Sequence, residues 1–96
     1  MKASEIADEL VDTDRQKVYG HPYDDFGRIA QMTRPIIEAV VNGKLDGKLG
    51  HALYMQCVKI CRLIETPDHD DSIVDNHGYA NTYEMVLEKM KERREL

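Results

Sequence analysis

The sequence lacks the features that mark disulfide-rich secreted, membrane-spanning and general nucleic-acid-binding proteins. Its 96 residues include only two cysteines, too few for a disulfide-stapled scaffold. No apolar run approaches the ~18–20 residues that span a bilayer, and no apolar signal-peptide core follows Met1. A basic surplus is also missing, since 13 Lys and Arg face 18 Asp and Glu, a formal charge of −5. A general nucleic-acid binder needs a basic face to replace phosphate counterions. We therefore expect a cytoplasmic protein with no membrane and no nucleic-acid partner.

Helical rather than strand periodicity fills the segments between three turn-forming stretches, at residues 20–22, 42–47 and 66–68. No internal repeat or linker divides the chain, so residues 1–96 are expected to form a single domain. The pattern predicts an all-α fold, an antiparallel bundle of four to five helices. The expected elements are a short N-terminal helix in residues 1–14 and main helices over residues 24–42, 46–65 and 70–93.

Local signals refine these expected helices. Ser4 can cap the first one, and Asp70 or Asp71 can cap the last one. Pro35 predicts a kink or a break near Thr33 and Arg34, because proline removes a helical hydrogen bond and clashes with the carbonyl four residues earlier. The second segment carries an apolar stripe at helical spacing, formed by Phe26, Ile29, Ala30, Thr33, Ile37, Val40 and Val41.

The small core and the long last helix both favour self-association. A domain of this size buries only roughly 60–65% of the surface of its unfolded chain, so a partner subunit adds much to its stability. A helix of twenty-odd residues is ~30–35 Å long. A compact domain of this length has a radius of gyration of only ~12–13 Å. The end of that helix would therefore either project into solvent or pack against a second copy, and we expect a homo-oligomer, a dimer or larger.

The segment from His69 to Tyr79 carries the strongest chemical signal. Asp71 and Asp75 are four residues apart, so on a helix their carboxylates point the same way from adjacent turns. A hard cation such as Mg²⁺ would relieve their repulsion and prefers carboxylate oxygens. The alternative is that Asp71 caps the helix and Asp75 is merely exposed. Gly78 would let a helix or a ligand approach this face, and Tyr79 and His69 are candidates for the rim of the site.

Two basic residues precede this segment. Lys59 and Arg62 are three apart on the third main helix. A short connector implies antiparallel packing, which would bring them near Asp71 and Asp75. They would then either contact the phosphates of a nucleotide ligand or form salt bridges that join the two helices. Their neighbours Cys57 and Cys61 have the wrong spacing for common zinc motifs and are expected to be small core side chains.

The motif residues resemble a family of small phage and prophage proteins catalogued by sequence alone. The resemblance spans Arg15 to Tyr83, and its most specific part is Asp-Ser-x-x-Asp-x-x-Gly-Tyr-Ala, residues 71–80. The chain departs from that family with Ile73 where a tryptophan is common, and with Asn76-His77 where small or apolar residues are usual. The other matching residues are Arg15, Tyr19-Gly20, Phe26, Ile29-Ala30, Lys59-x-x-Arg62 and His69.

At greater distance the pattern resembles the MazG-like all-α nucleoside triphosphate pyrophosphohydrolases. Those enzymes bind Mg²⁺ with acidic residues on two antiparallel helices and release a nucleoside monophosphate and pyrophosphate. The resemblance places Asp75 at the final aspartate of their second helix, and Asp71 one position from its companion. Their Glu-x-x-Glu on the first helix has no counterpart, because Lys59 and Arg62 occupy that region. The resemblance thus implies a MazG-like fold and leaves catalysis open.

Two functions follow from these residues. The first is a metal-dependent nucleotide pyrophosphohydrolase, or a nucleotide-binding protein, with Mg²⁺ on Asp71 and Asp75 and the phosphates on Lys59 and Arg62. The alternative is a non-catalytic phage accessory or assembly protein that uses the helical scaffold for oligomerisation or for binding a partner. Closed salt bridges between these residues would favour the second, because they would occupy the carboxylates.

Overall fold

A computed structural model describes residues 2–5 and 16–96 of the chain, and within them all regular structure is helical. This confirms the all-α fold class. The predicted N-terminal helix lies outside the described residues beyond residue 5, whereas residues 3–5 are helical and include Ser4 within their turn. The remaining helices are α1 (Gln16–Tyr19), α2 (Pro22–Val41), α3 (Gly47–Glu65) and α4 (Asp70–Glu92).

The starts of α2 and α3 are fixed by capping side chains. Pro22 occupies the first turn of α2, and Nδ1 of His21 accepts a hydrogen bond from the Tyr23 amide at 3.1 Å. At α3, the Asp46 carboxylate accepts from the Lys48 amide at 2.8 Å. These caps satisfy amide groups that have no partner inside the helix. The cap at His21 explains why α2 starts two residues earlier than the predicted residue 24.

Of the kink or break predicted at Pro35, the break is wrong, because α2 runs unbroken from Pro22 to Val41. Packing on α3 accounts for this on both sides of the proline. Before it, Ile29 contributes to the buried cluster with Val58 and Cys61 of α3. After it, Val40 lies close against Gly50 of α3, since a Cβ built on that glycine would stand 2.6 Å from the valine Cγ2 atom. Tertiary contacts therefore hold the helix across its weakest position.

Helix α3 lies in the middle of the described fold. Both α2 and α4 pack along it, and within residues 16–96 they make no contact with each other. The buried apolar residues accordingly form a thin layer along α3 rather than one closed core. They are Ile29, Leu49, Ala52, Val58, Cys61 and Met90.

The described residues form an elongated body with much exposed apolar surface. It measures 50 × 28 × 27 Å and its radius of gyration is 16.1 Å. A compact chain of this length would have about 12–13 Å. Among the described residues, no helix combines the length and the apolarity required to cross a membrane. The large apolar side chains that remain exposed include Tyr23, Phe26, Ile37, Val41, Ile64, Val74 and Met85.

Candidate functional site at the junction of three helices

An ion pair between α3 and α4 forms the centre of the candidate site. Nζ of Lys59 lies 2.9 Å from Oδ2 of Asp75, with the lysine side chain 11% exposed and the aspartate side chain 48% exposed. The lysine stem packs between the helices while its ammonium group reaches the carboxylate. The hydrogen bond and the charge of Lys59 lower the pKa of Asp75, and Arg62 and His69 add to this effect. Asp75 is therefore ionised at neutral pH.

Arg62, one turn further along α3, points instead towards α1. Its guanidinium carbon lies 4.3 Å from the centre of the Tyr19 ring, a cation–π contact. Its Nε atom is buried and has no hydrogen-bond partner among the described residues. The predicted bridge from Arg62 to Asp71 or Asp75 is absent from the described residues, because Tyr19 takes the position next to the guanidinium.

His69 is the third residue of this junction, after Lys59 and Arg62. It occupies the N-cap position, so the expectation that Asp70 or Asp71 caps the helix is wrong, and both aspartates lie in the first turn. Nδ1 of His69 lies 2.7 Å from the hydroxyl of the buried Ser72. Its ring also packs edge-on against Tyr19, with the ring centres 5.7 Å apart. His69 therefore links α4 to α1 in addition to starting the helix.

Two residues predicted for the site stand apart from these contacts. Asp71 is exposed in the first turn of α4, and Tyr79 is half-buried one turn beyond Asp75. Neither has a hydrogen bond, ion pair or ring contact with Lys59, Arg62 or His69 among the described residues. Within residues 2–5 and 16–96, no three His, Cys, Asp or Glu side chains are grouped as metal ligands. Lys59 and Asp75 are thus the predicted pair that the fold brings together.

A cavity of about 200 Å³ adjoins this junction on the side of α1 and α2. Arg62 and Tyr19 line it, and so do Asp25 and Phe26. Asp25 is only 3% exposed, and its Oδ1 atom has no hydrogen-bond partner among the described residues. Phe26 is 65% exposed, although the stripe on this segment predicted it to be apolar core. The spacing of Asp25 in the sequence indicates that it is buried, since it lies four residues before the buried Ile29 and eight before the buried Thr33 on the same side of the helix.

Sequence comparison places these residues in a family. The family whose sequences are described as a domain of unknown function, DUF6378, matches residues 4–87. The chain belongs to the DUF6378 family. It is also similar to the Gene 55 protein of Mycobacterium phage D29, with 33% identity over 85 residues. That alignment covers 88% of this chain and 53% of the phage protein, so the chain spans about half the length of that relative. No solved structure matches the chain significantly. These findings confirm the expected phage-type family.

The spaced motif of this DUF6378 chain is explained in part by contacts at the junction. Tyr19 meets Arg62 and His69, which are 43 and 50 positions away in sequence. The hydroxyl of Thr66 donates to the carbonyl of Val18 and holds the connector before α4 against α1. Residues that are scattered along the motif therefore form one connected cluster.

Gly20 of the same motif provides the turn between α1 and α2. Its φ angle is +77°, in the left-handed region that favours glycine. A Cβ built there would also stand 3.1 Å from the carboxyl of Glu65, which forms an ion pair of 3.6 Å with Arg28 of α2. The turn thus brings α1 across the end of α3 and delivers Tyr19 to Arg62.

The two cysteines are placed next to the core. Cys61 is fully buried and its Sγ lies 3.2 Å from the Sδ of Met32, while Cys57 is half-buried. Burial raises the pKa of both thiols. Both are free thiols among the described residues, and the burial of Cys61 agrees with the expectation of a small core side chain.

Proposed function

We propose that this DUF6378 chain binds a nucleotide at the junction of α1, α3 and α4, with Arg62 and Lys59 directed at its phosphates. The observation that carries the proposal is Arg62, because Tyr19 orients its guanidinium and no carboxylate among the described residues forms a salt bridge with it. Arginine binds phosphate through several hydrogen bonds in a fixed plane, which makes a pre-oriented side chain a good anchor. Lys59 adds an ammonium group on the same helix, which a phosphate would share with Asp75.

The Lys59–Asp75 ion pair supports binding ahead of hydrolysis. Metal-assisted attack at phosphorus needs a cation held firmly by carboxylates. Asp75 is ionised, which suits such a role, but one of its oxygens already accepts a hydrogen bond from Lys59 at 2.9 Å. Mg²⁺ would have to replace that ammonium group before Asp75 could act with Asp71. Metal-dependent pyrophosphohydrolysis is therefore the second candidate function.

A MazG-like antiparallel arrangement of α3 and α4 is part of the second candidate. Two contacts support it at opposite ends of the pair. Lys48 at the start of α3 lies in one surface pocket with Met90 at the end of α4. Further along, Lys59 meets Asp75 in the second turn of α4. The reaction of the second candidate is inferred from the resemblance of the acidic motif to MazG-like enzymes, and the packing of this helix pair is compatible with it.

The binding proposal is tested by titrating nucleoside triphosphates into the protein by calorimetry, with and without Mg²⁺. Arg62→Gln is expected to weaken binding at least about tenfold, since a hydrogen bond between charged groups is lost. Lys48→Gln is the matched control, because it removes one charge from the same helix at a side chain 61% exposed and paired with Asp46. No binding at millimolar nucleotide, or an equal loss in both variants, would refute the proposal.

The catalytic candidate needs a separate assay of pyrophosphate release with Mg²⁺ at high protein concentration. If it holds, Asp75→Asn and Asp71→Asn abolish release, while Asp68→Asn, an exposed neighbour outside α4, leaves it unchanged. Absence of release from a protein that still binds nucleotide would reject hydrolysis and retain binding.

We also propose that the chain forms a homo-oligomer through the exposed apolar side of α4. Val74 and Met85 are 67% and 65% exposed on this helix, and Ile73 is 38% exposed. Such side chains on a small, thinly packed fold favour a covered surface. This association also serves the alternative function, a phage accessory or assembly protein. Light scattering that finds a monomer at micromolar concentration would contradict the oligomer.

A further inference from the structure

The cavity beside the junction contains a buried carboxylate with an unused acceptor. Asp25 is 3% exposed and lies on the side of α2 that packs on α3, in line with Ile29 and Thr33. Its Oδ1 atom lacks a hydrogen-bond partner among the described residues. Burying a polar group without a partner is costly, so a position in the core stripe is a poor place for an aspartate with no ligand.

A donor with the same deficiency lines the same cavity. Nε of Arg62 is buried and lacks a hydrogen-bond partner among the described residues. No salt bridge joins Arg62 to Asp25 among the described residues, although both side chains line this cavity. A molecule that presents an N–H donor and a neighbouring acceptor would satisfy both groups at once.

The shape and the walls of the cavity define that molecule further. Phe26 lines the cavity and is 65% exposed, and the ring of Tyr19 lies on another part of the wall. Aromatic walls favour a flat, stacking ligand. The volume of about 200 Å³ is smaller than the ~300–1,000 Å³ typical of sites for drug-sized molecules. The cavity therefore suits a single planar ring system.

We infer that this cavity binds a nucleobase, with Asp25 accepting from its N–H groups, Nε of Arg62 donating to its acceptor and Phe26 stacking on its ring, so that the terminal nitrogens of Arg62 remain for the phosphates. The inference rests on the proposed function and assigns the base-binding part of that site. Every nucleobase carries donors and acceptors side by side on an edge, so the titration described below determines which base is preferred.

The test is calorimetric titration of the full chain with adenosine, guanosine, cytidine and uridine, in the absence of Mg²⁺. These probes carry no phosphate, so they report on the cavity alone. At least one nucleoside is expected to bind in the millimolar range or tighter. Asp25→Asn should weaken that binding at least about tenfold, because the amide that replaces the carboxylate has one acceptor oxygen and no negative charge. Phe26→Ala should weaken it about fivefold or more through lost stacking.

Tyr23→Ala is the matched control for Phe26→Ala. It removes an aromatic ring that is 83% exposed in the same turn of α2 but does not line this cavity. Unchanged nucleoside affinity in Tyr23→Ala, together with the loss in Phe26→Ala, supports the inference. Phe26→Ala also keeps the test valid if Asp25→Asn fails to fold, since an exposed ring contributes little to the core.

A parallel titration with inorganic tripolyphosphate separates this inference from the phosphate site. If tripolyphosphate binds through Arg62 and no nucleoside binds at millimolar concentration, the base cavity is refuted while the phosphate site stands. If nucleosides bind and tripolyphosphate does not, the cavity stands and the phosphate contacts of the proposed function fall. If neither binds, both proposals are refuted.

Discussion

Replacing Gly78 by alanine is expected to stabilise the chain by about 1 kcal/mol. Glycine in a helix interior destabilises the fold by about that much relative to alanine, because a glycine loses more backbone conformational entropy than an alanine when the chain folds. Gly78 lies inside α4, and a Cβ built on it meets no atom within 4 Å. The sequence suggested that this glycine lets a helix or a ligand approach closely. Within one copy of the described chain, the space beside it is open.

The same replacement at Gly50 in α3 is expected to have the opposite sign. The new Cβ would stand 2.6 Å from Cγ2 of Val40 and 3.5 Å from Cδ2 of Leu45. Valine in a helix has one strongly preferred rotamer, so the methyl group cannot turn away without strain. Overpacking of this kind costs about 1–3 kcal/mol, against a gain of about 1 kcal/mol from helix propensity. The net expectation is a loss of up to about 2 kcal/mol.

Thermal unfolding followed by circular dichroism measures both changes. For a domain of this size, 1 kcal/mol shifts the melting temperature by about 4–8 °C. Gly78→Ala should therefore raise the melting temperature by that amount, and Gly50→Ala should lower it or leave it unchanged. The measurement is repeated over a dilution series with light scattering. A lowered melting temperature for Gly78→Ala in a monomeric sample would refute the reasoning, because nothing then covers the added methyl group.

Three further results are expected from single positions. The pKa of Asp75 in the folded chain is lowered below its ordinary value of 3.8 by the ion pair with Lys59. The ion pair therefore stabilises the fold at pH values above 3.8, and this contribution is lost as the pH falls through the lowered pKa. The stability difference between the wild type and Asp75→Asn in urea should therefore shrink between pH 6 and pH 3, and a constant difference would contradict the assignment. Burial raises the pKa of both thiols above 9.0, so iodoacetamide at neutral pH should modify them more slowly than free cysteine. Cys61 should react more slowly than Cys57, because it is the more buried of the two. Equal rates for the two cysteines would show that α3 is not packed as described. Met90→Ala should destabilise the chain by about 2–4 kcal/mol in urea, since this side chain is 2% exposed, and a change within error would place the end of α4 away from α3.

Periodicity and turn residues were sufficient to predict the long helices. The apolar spacing and the breaks at Gly43 and Pro67 are local signals, and each acts within a few residues. The approach of Lys59 to Asp75 was also predictable, because a short connector restricts how α3 and α4 can pack. Pro35 shows the limit of local rules, since contacts with α3 outweigh its effect on α2.

The cavity and the junction could not be predicted in the same way. Asp25 is buried and Phe26 is exposed only because α2 turns one side towards α3 and α1 crosses its end. That crossing depends on the backbone angle at Gly20 and on the contact of Tyr19 with Arg62. These contacts join residues more than forty positions apart, and a single sequence carries no signal for such a pairing.

The central position of α3 has a consequence for combined mutations. Because α2 and α4 do not touch within the described chain, a substitution on one reaches the other only through α3. Changes in unfolding free energy at such distant sites usually add within about 0.3–0.5 kcal/mol. The changes in unfolding free energy caused by a substitution of Met85 on α4 and one of Ile37 on α2 are thus expected to add in the double variant. Pairs that include Arg62 or Lys59 are the ones whose effects should depend on each other.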